Sequence, residues 1–270
     1  MIDDALFEEY ASAIDANSDL LRAAVSSLES SLAGVSDRQL PQVMGALYAS
    51  LVVEYGGYAA AIACEFYERQ RAASGAKGTY APTMEDGADQ ALLYYDAREA
   101  ASSSVGLQSA LGKLQGTAVQ RAMEQADATI IGNASRDPAH PLFALVPHAG
   151  ACGFCIMLGS NGFVYHSRAK ANASRHPNCR CRPVVDFDTE NPALAGYDPD
   201  AMHGAYSDAR AAVEDDARGV GRHERGGARE VEGRRQGSLR PLPAQPHSCG
   251  DERASANGLT NTNHTYQLGI

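Results

Sequence analysis

The chain contains no tryptophan. It also has no unbroken apolar run approaching the 18 or more residues that a membrane-spanning helix needs. Its richest stretch, Ala59-Ala60-Ala61-Ile62-Ala63-Cys64, is short and follows Gly56-Gly57. The opening Met1-Ile2-Asp3-Asp4 lacks the positive region of a signal peptide. These absences predict a soluble protein made in the cytoplasm. An excess of positive charge is missing too: the net charge is -10. That excludes DNA binding through an overall basic surface. The acidity lies in residues 1–215, because residues 216–270 carry eight Arg against six Asp or Glu. No phosphate-binding loop is present: the small residues His148-Ala149-Gly150-Ala151 run into Cys152 without a following Lys-Ser or Lys-Thr. No internal repeat is found.

Cysteine is sparse, yet four of the six cysteines fall in one window, Cys152-x2-Cys155-x20-His176-x2-Cys179-x-Cys181. Thiolate sulfur and imidazole nitrogen are the preferred ligands of zinc, and structural zinc takes four of them. Two cysteines three positions apart reach one ion from a tight turn. The residues from Arg180 to Phe187 read as a β-branched strand, with Pro183 confining it to an edge. Residues i and i+2 of a strand share a face, so Cys179 and Cys181 should point the same way. Pro177 holds His176 extended. Cys152, Cys155, His176, Cys179 and Cys181 are therefore five candidate ligands for four positions. Disulfides among the four cysteines are the alternative, and reduced core thiols a third.

The rest of the chain predicts an α+β, mainly α protein: a helical N-terminal region over 1–135, a small Cys/His-stapled α/β module with a trailing helix over 136–216, and a disordered tail over 217–270. Leu6, Tyr10, Ile14, Leu21, Val25, Leu28 and Leu32 recur at helical spacing. Ser36-Asp37-Arg38-Gln39 fits a capping box. A long apolar and aromatic face follows from Leu40 to Tyr58, ending at Ser74-Gly75. This face is either the domain's own core or a surface for docking a partner. Further helices are predicted over about 86–98 and 105–130, and the helical pattern changes at Asn133. Short strands are predicted at 143–147 and 163–165, a short helix from Ser167 to Asn172, and a last helix over 199–216. The composition after Ala217 cannot bury enough apolar surface to offset its ordering entropy.

Several runs resemble the minor head proteins of tailed bacteriophages, the phage Mu protein F-like (MuF) head-morphogenesis family, and its actinobacteriophage branch in particular. They are Val146-Pro147, Cys152-Gly153-Phe154-Cys155-Ile156-Met157-Leu158, Gly162-Phe163-Val164-Tyr165 and His176-Pro177-Asn178-Cys179-Arg180-Cys181. The order of a helical region before a compact Cys/His module is also similar. The resemblance implies a structural role at the portal or inner capsid, inside the phage head, rather than catalysis. Relatives that carry a C-terminal toxin or enzyme have more than the short polar segment that follows Ala217 here.

Two other readings follow from the residues. A zinc-assisted nuclease would draw on His140, His148, His166 and His176 with Asp186 and Asp188. Against it, no His/Asn/His constellation or adjacent Asp-His pair lies near the cysteines, and a site that uses most of the cysteines is closed. A nucleic-acid contact would draw on Arg168, Lys170, Arg175, Arg180 and Arg182, five basic residues within 15 positions. A solvated charged face is the commoner meaning of such a run.

Overall fold

The computed structural model describes residues 2–85, 87–148, 150–165, 176–179 and 181–223, with side chains in the last helix as far as Val213. Four long helices come first: α1 (Asp4–Leu32), α2 (Leu40–Ser74), α3 (Gln90–Ser102) and α4 (Leu107–Arg136). They are followed by strand β1 (Leu142–Val146), a short helix α5 (Gly153–Gly159), strand β2 (Arg182–Asp186) and helix α6 (Pro199–His223). The mainly helical α+β architecture is the one expected from the sequence.

Local chemistry sets the helix ends. The carboxylate of Asp3 accepts from the backbone N–H groups of Ala5 and Leu6 and starts α1. Gly75, in the left-handed region at φ 65°, ends α2. The capping box at Ser36 does not form. The Ser36 hydroxyl bonds the Gln39 side chain instead, at 2.7 Å, so neither side chain reaches a backbone N–H of α2. Asp89 caps α3, which lies four residues further along the chain than expected.

Helix α4 runs past Asn133 because that residue's polarity serves a contact. The buried Asn133 amide accepts from the Tyr80 hydroxyl and the Thr83 N–H at 2.9 Å, and donates to the Thr83 carbonyl at 2.8 Å. A polar side chain that breaks the apolar stripe thus pins the 76–89 connection to the helix.

Helix α2 packs against α1, α3 and α4. Two glycines allow this. A Cβ at Gly56 would lie 1.8 Å from Gln125 Nε2 of α4, and one at Gly45 would lie 2.7 Å from the Tyr94 ring of α3. Among the described residues α2 alone has the length and composition to cross a membrane. Its apolar residues Met44, Tyr48, Val52, Phe66 and Tyr67 are instead packed inside the protein. The Leu40-to-Tyr58 face is therefore core along Met44 and Tyr48, with Leu40, Val43, Leu47, Leu51 and Tyr55 half-buried against the helical cluster. Of that face only Tyr58 stands exposed.

Two apolar clusters result. One is purely helical, built around Leu21, Val25, Tyr48, Leu93 and Leu114. The other joins the start of α1 and the ends of α2 and α4 to both strands, with Ile14, Phe66, Ile130, Phe143 and Val185 among its members. Each large apolar side chain so buried contributes about 1.5–3 kcal/mol. Tyr10 stacks on Phe66 with ring centroids 4.4 Å apart.

The strands pair antiparallel, from Leu142↔Asp186 to Val146↔Arg182, and every residue in them is buried. Pro183 sits on β2, whose outer edge carries no further strand among the described residues. Residues 163–165 make no strand, only a single bridge from Tyr165 to Phe143. Gly162 turns the chain just before, and Val164 faces solvent. Helix α6 extends to His223, so residues 217–223 of the expected tail are helical. The remainder, 224–270, lies outside the described residues, as does the expected helix from Ser167 to Asn172.

One buried ion pair closes the helical layer. Asp137, fully buried at the end of α4, accepts from Arg71 Nε at 2.8 Å, the Tyr67 hydroxyl at 3.1 Å and the Ala139 N–H at 2.9 Å. Burial and the Asp137 charge push the Tyr67 hydroxyl well above its ordinary range, so it remains a donor. Asp137→Ala should cost about 3–5 kcal/mol, the usual loss when one partner of a buried pair is removed. Urea unfolding of the two proteins measures it, and Asp137→Asn should lose less.

Candidate metal centre

The register of the ribbon assembles the centre. Val146 ends β1 opposite Arg182, which begins β2. The segment leaving β1 and the segment entering β2 thus emerge side by side. The first carries Cys152 at the N-cap position of α5 and Cys155 in its first turn. Gly159 ends α5 against Pro147, where a Cβ would come within 2.4 Å of the proline ring. The Tyr197 hydroxyl donates to the Gly159 carbonyl and holds the same end.

The second segment is a knuckle. The Cys179 N–H returns to the His176 carbonyl at 3.0 Å. Asn178 sits in the left-handed region at φ 63°, which Asn tolerates better than most side chains. The knuckle is docked on the helices. The Asn178 N–H donates to the Gly116 carbonyl of α4 at 3.2 Å, and Arg22 of α1 donates to Asn178 Oδ1 at 3.2 Å. A Cβ at Gly116 would lie 2.7 Å from the Asn178 amide nitrogen. A larger residue there would have to displace the Asn178 side chain.

All five expected ligands converge. Nε2 of His176 lies 3.1 Å from Cys152 Sγ and 3.4 Å from Cys155 Sγ, and Cys155 Sγ lies 3.6 Å from Cys179 Sγ. Two groups, Cys152/Cys155/His176 and Cys155/Cys179/Cys181, each have their ligand atoms within 4.8 Å of one another. Zinc bonds of about 2.3 Å to sulfur and 2.0 Å to nitrogen give tetrahedral edges of about 3.8 Å and 3.5 Å. The three contacts are near those edges. Every described cysteine is a free thiol.

The histidine is set up as a ligand. Nδ1 faces the Pro177 carbonyl at 2.9 Å. A carbonyl can only accept, so Nδ1 carries the hydrogen and the neutral ring presents a bare Nε2 to the sulfurs. The thiols are not equivalent. Hydrogen bonds to Cys179 and Cys181, then burial, drive the Cys155 thiol far above its ordinary range. At Cys152 burial works upward, but hydrogen bonds from Cys155 and His176 outweigh it and lower the thiol. Crowded sulfurs cannot all ionise against one another; a bound dication removes that conflict and displaces their protons. The cluster could therefore hold a metal ion.

Other candidates do not join it. His140 is exposed, and among the described residues neither it nor His148 joins a ligand group. The Asp186 carboxylate accepts from the N–H groups of Asp188 and Ala193, and Asp188 from those of Glu190 and Asn191. Both aspartates shape the turn after β2. His166, Arg168, Lys170, Arg175 and Arg180 lie outside the described residues. Arg182 is withdrawn from the basic set: its guanidinium is buried, 2.6 Å from Asp15 Oδ1 and 3.2 Å from the Ala11 carbonyl. It ties β2 to α1 and has no free face for a phosphate. Sequence reading missed Gly116, Arg22 and the docking role of Asn178. Gly116 carries a signal, because glycine inside a helix costs about 1 kcal/mol and implies a close approach.

Fold and site together define a mainly helical protein that holds a compact Cys/His centre against its helices. The chain matches the family described as VG15 protein over residues 1–209, and it belongs to that family of phage proteins. No curated protein and no solved structure matches it.

Gly116→Ala should push Asn178 off α4 while leaving the helices intact. Metal affinity should fall by about 10–100-fold, the usual effect of disturbing groups that orient ligands. Competition with a chromophoric chelator, alongside far-ultraviolet circular dichroism, separates that loss from unfolding.

Proposed function

We propose that this phage protein is a minor head protein of the MuF-like kind, which joins the portal or inner capsid during head assembly. Its Cys/His centre holds one structural zinc. The observation that carries the reading is the closed character of the centre in a phage-family chain. Five sulfur and imidazole donors fall in two triads that share Cys155, three of the four sulfurs are buried, and the knuckle that bears three donors is bonded into α1 and α4. A thiolate and imidazole set selects zinc over hard cations. Four of Cys152, Cys155, His176, Cys179 and Cys181 would ligate it, and the ion's part is to staple the two segments at the ribbon's end. The described residues around it orient and bury the donors; none of them supplies a general base next to an open position.

The docking surface lies elsewhere than the Leu40-to-Tyr58 face, which the protein uses for itself. The test is made in the phage that encodes the chain. The tagged protein should be recovered in purified heads and cross-link to portal or capsid subunits. Absence from heads, together with metal-dependent cleavage or tight binding of DNA by the purified protein, would replace this reading with the nucleic-acid one.

A further inference from the structure

The centre has one donor more than a tetrahedral ion takes, and the five are unequally placed. Cys155, Cys179 and Cys181 are only 4%, 3% and 8% exposed. Cys152 stands exposed at the rim. Cys155 is the donor shared by both ligand groups, within 3.4 Å of His176 Nε2 and 3.6 Å of Cys179 Sγ. Removing Cys152 leaves those contacts in place; removing Cys155 cuts both. The exposed Cys152 sulfur and the buried Cys155 sulfur lie within 4.8 Å of each other.

We infer that Cys152 is a thiol–disulfide exchange site that controls the metal: it is the surplus donor, and its pairing with Cys155 expels the ion. This rests on the zinc reading above. The oxidant is a low-molecular-weight disulfide such as oxidised glutathione. The Cys152 thiolate attacks one of its sulfurs, breaks the S–S bond and releases one thiolate. The Cys155 thiolate then attacks the Cys152 sulfur, closes the Cys152–Cys155 bond and releases the second thiolate. The protein pair gives up two electrons, the small disulfide takes two, and the departing thiolates take up protons from water. The new bond needs the sulfurs about 2.05 Å apart, so the rim turn closes inward by less than the present gap. Only His176, Cys179 and Cys181 remain, one fewer than a structural zinc site requires. Buried Cys179 and Cys181 are sheltered from the same reagent, which gives the reaction its direction.

The experiment uses the full chain, purified under reducing conditions and then freed of reductant. Zinc content is measured first. Oxidised glutathione is added, metal release is followed with a chromophoric zinc indicator, and the cysteine pairing is mapped by peptide mass spectrometry. The wild type should release its zinc as a Cys152–Cys155 disulfide appears, and added dithiol should restore binding. Cys152→Ser should copurify with zinc and release it about tenfold more slowly or less. Cys155→Ser should bind zinc poorly from the outset. A wild type that carries no metal before oxidation overturns the zinc reading itself. A wild type that carries zinc, with a Cys152→Ser variant that lacks it or loses it at the wild-type rate, overturns the switch alone. A disulfide mapped to Cys155–Cys179 does the same.

Discussion

The antiparallel pairing of β1 with β2 is the constraint from which the rest of this structure follows. Two five-residue strands are too little to stand alone in water. They persist because all ten residues are buried, packed into the core formed by the start of α1 and the ends of α2 and α4. Arg182 adds a directional tie to Asp15 and the Ala11 carbonyl of α1. Once the register is set, with Val146 opposite Arg182, the chain leaving one strand and the chain entering the other must run side by side. The sulfur and imidazole donors meet because the ribbon brings them there.

That arrangement divides labour between apolar burial and polar docking. The ribbon positions the two segments to within a few ångströms. The finer placement belongs to hydrogen bonds: Asn178 to Gly116 and Arg22, His176 Nδ1 to the Pro177 carbonyl, and Tyr197 to Gly159. These bonds fix which atoms face inward. They also explain why one asparagine stands between the histidine and the cysteines. It supplies the left-handed turn and the amide that seats the knuckle on a glycine gap in α4.

Much of this was legible in the residues. The stripe from Leu6 to Leu32 marked α1 because apolar burial on one face imposes helical spacing. The cysteine spacing marked the donors, since few roles need four sulfurs and an imidazole so close together. Misreadings came where polar side chains act at a distance. Asn133 looked like a helix end and is instead a clamp on a loop 50 residues earlier. Ser36 and Gln39 had the composition of a capping box but bond each other. Arg182 counted among the basic residues of a possible nucleic-acid contact, yet its partner, 167 residues away in α1, turns it inward. No local pattern reports such partners; only the tertiary packing does. Gly116 was readable in principle as a misplaced helix glycine, but not the residue it accommodates.

The central claim is that sulfur and imidazole from the two segments that meet at one end of the ribbon ligate one ion. X-ray absorption at the zinc edge, on the full-length protein purified under reducing conditions, tests it most directly. The account predicts about one zinc per chain, with sulfur neighbours at about 2.3 Å and nitrogen at about 2.0 Å. A shell of oxygen neighbours alone, or a protein that folds fully without metal and titrates with all its thiols free, would contradict it.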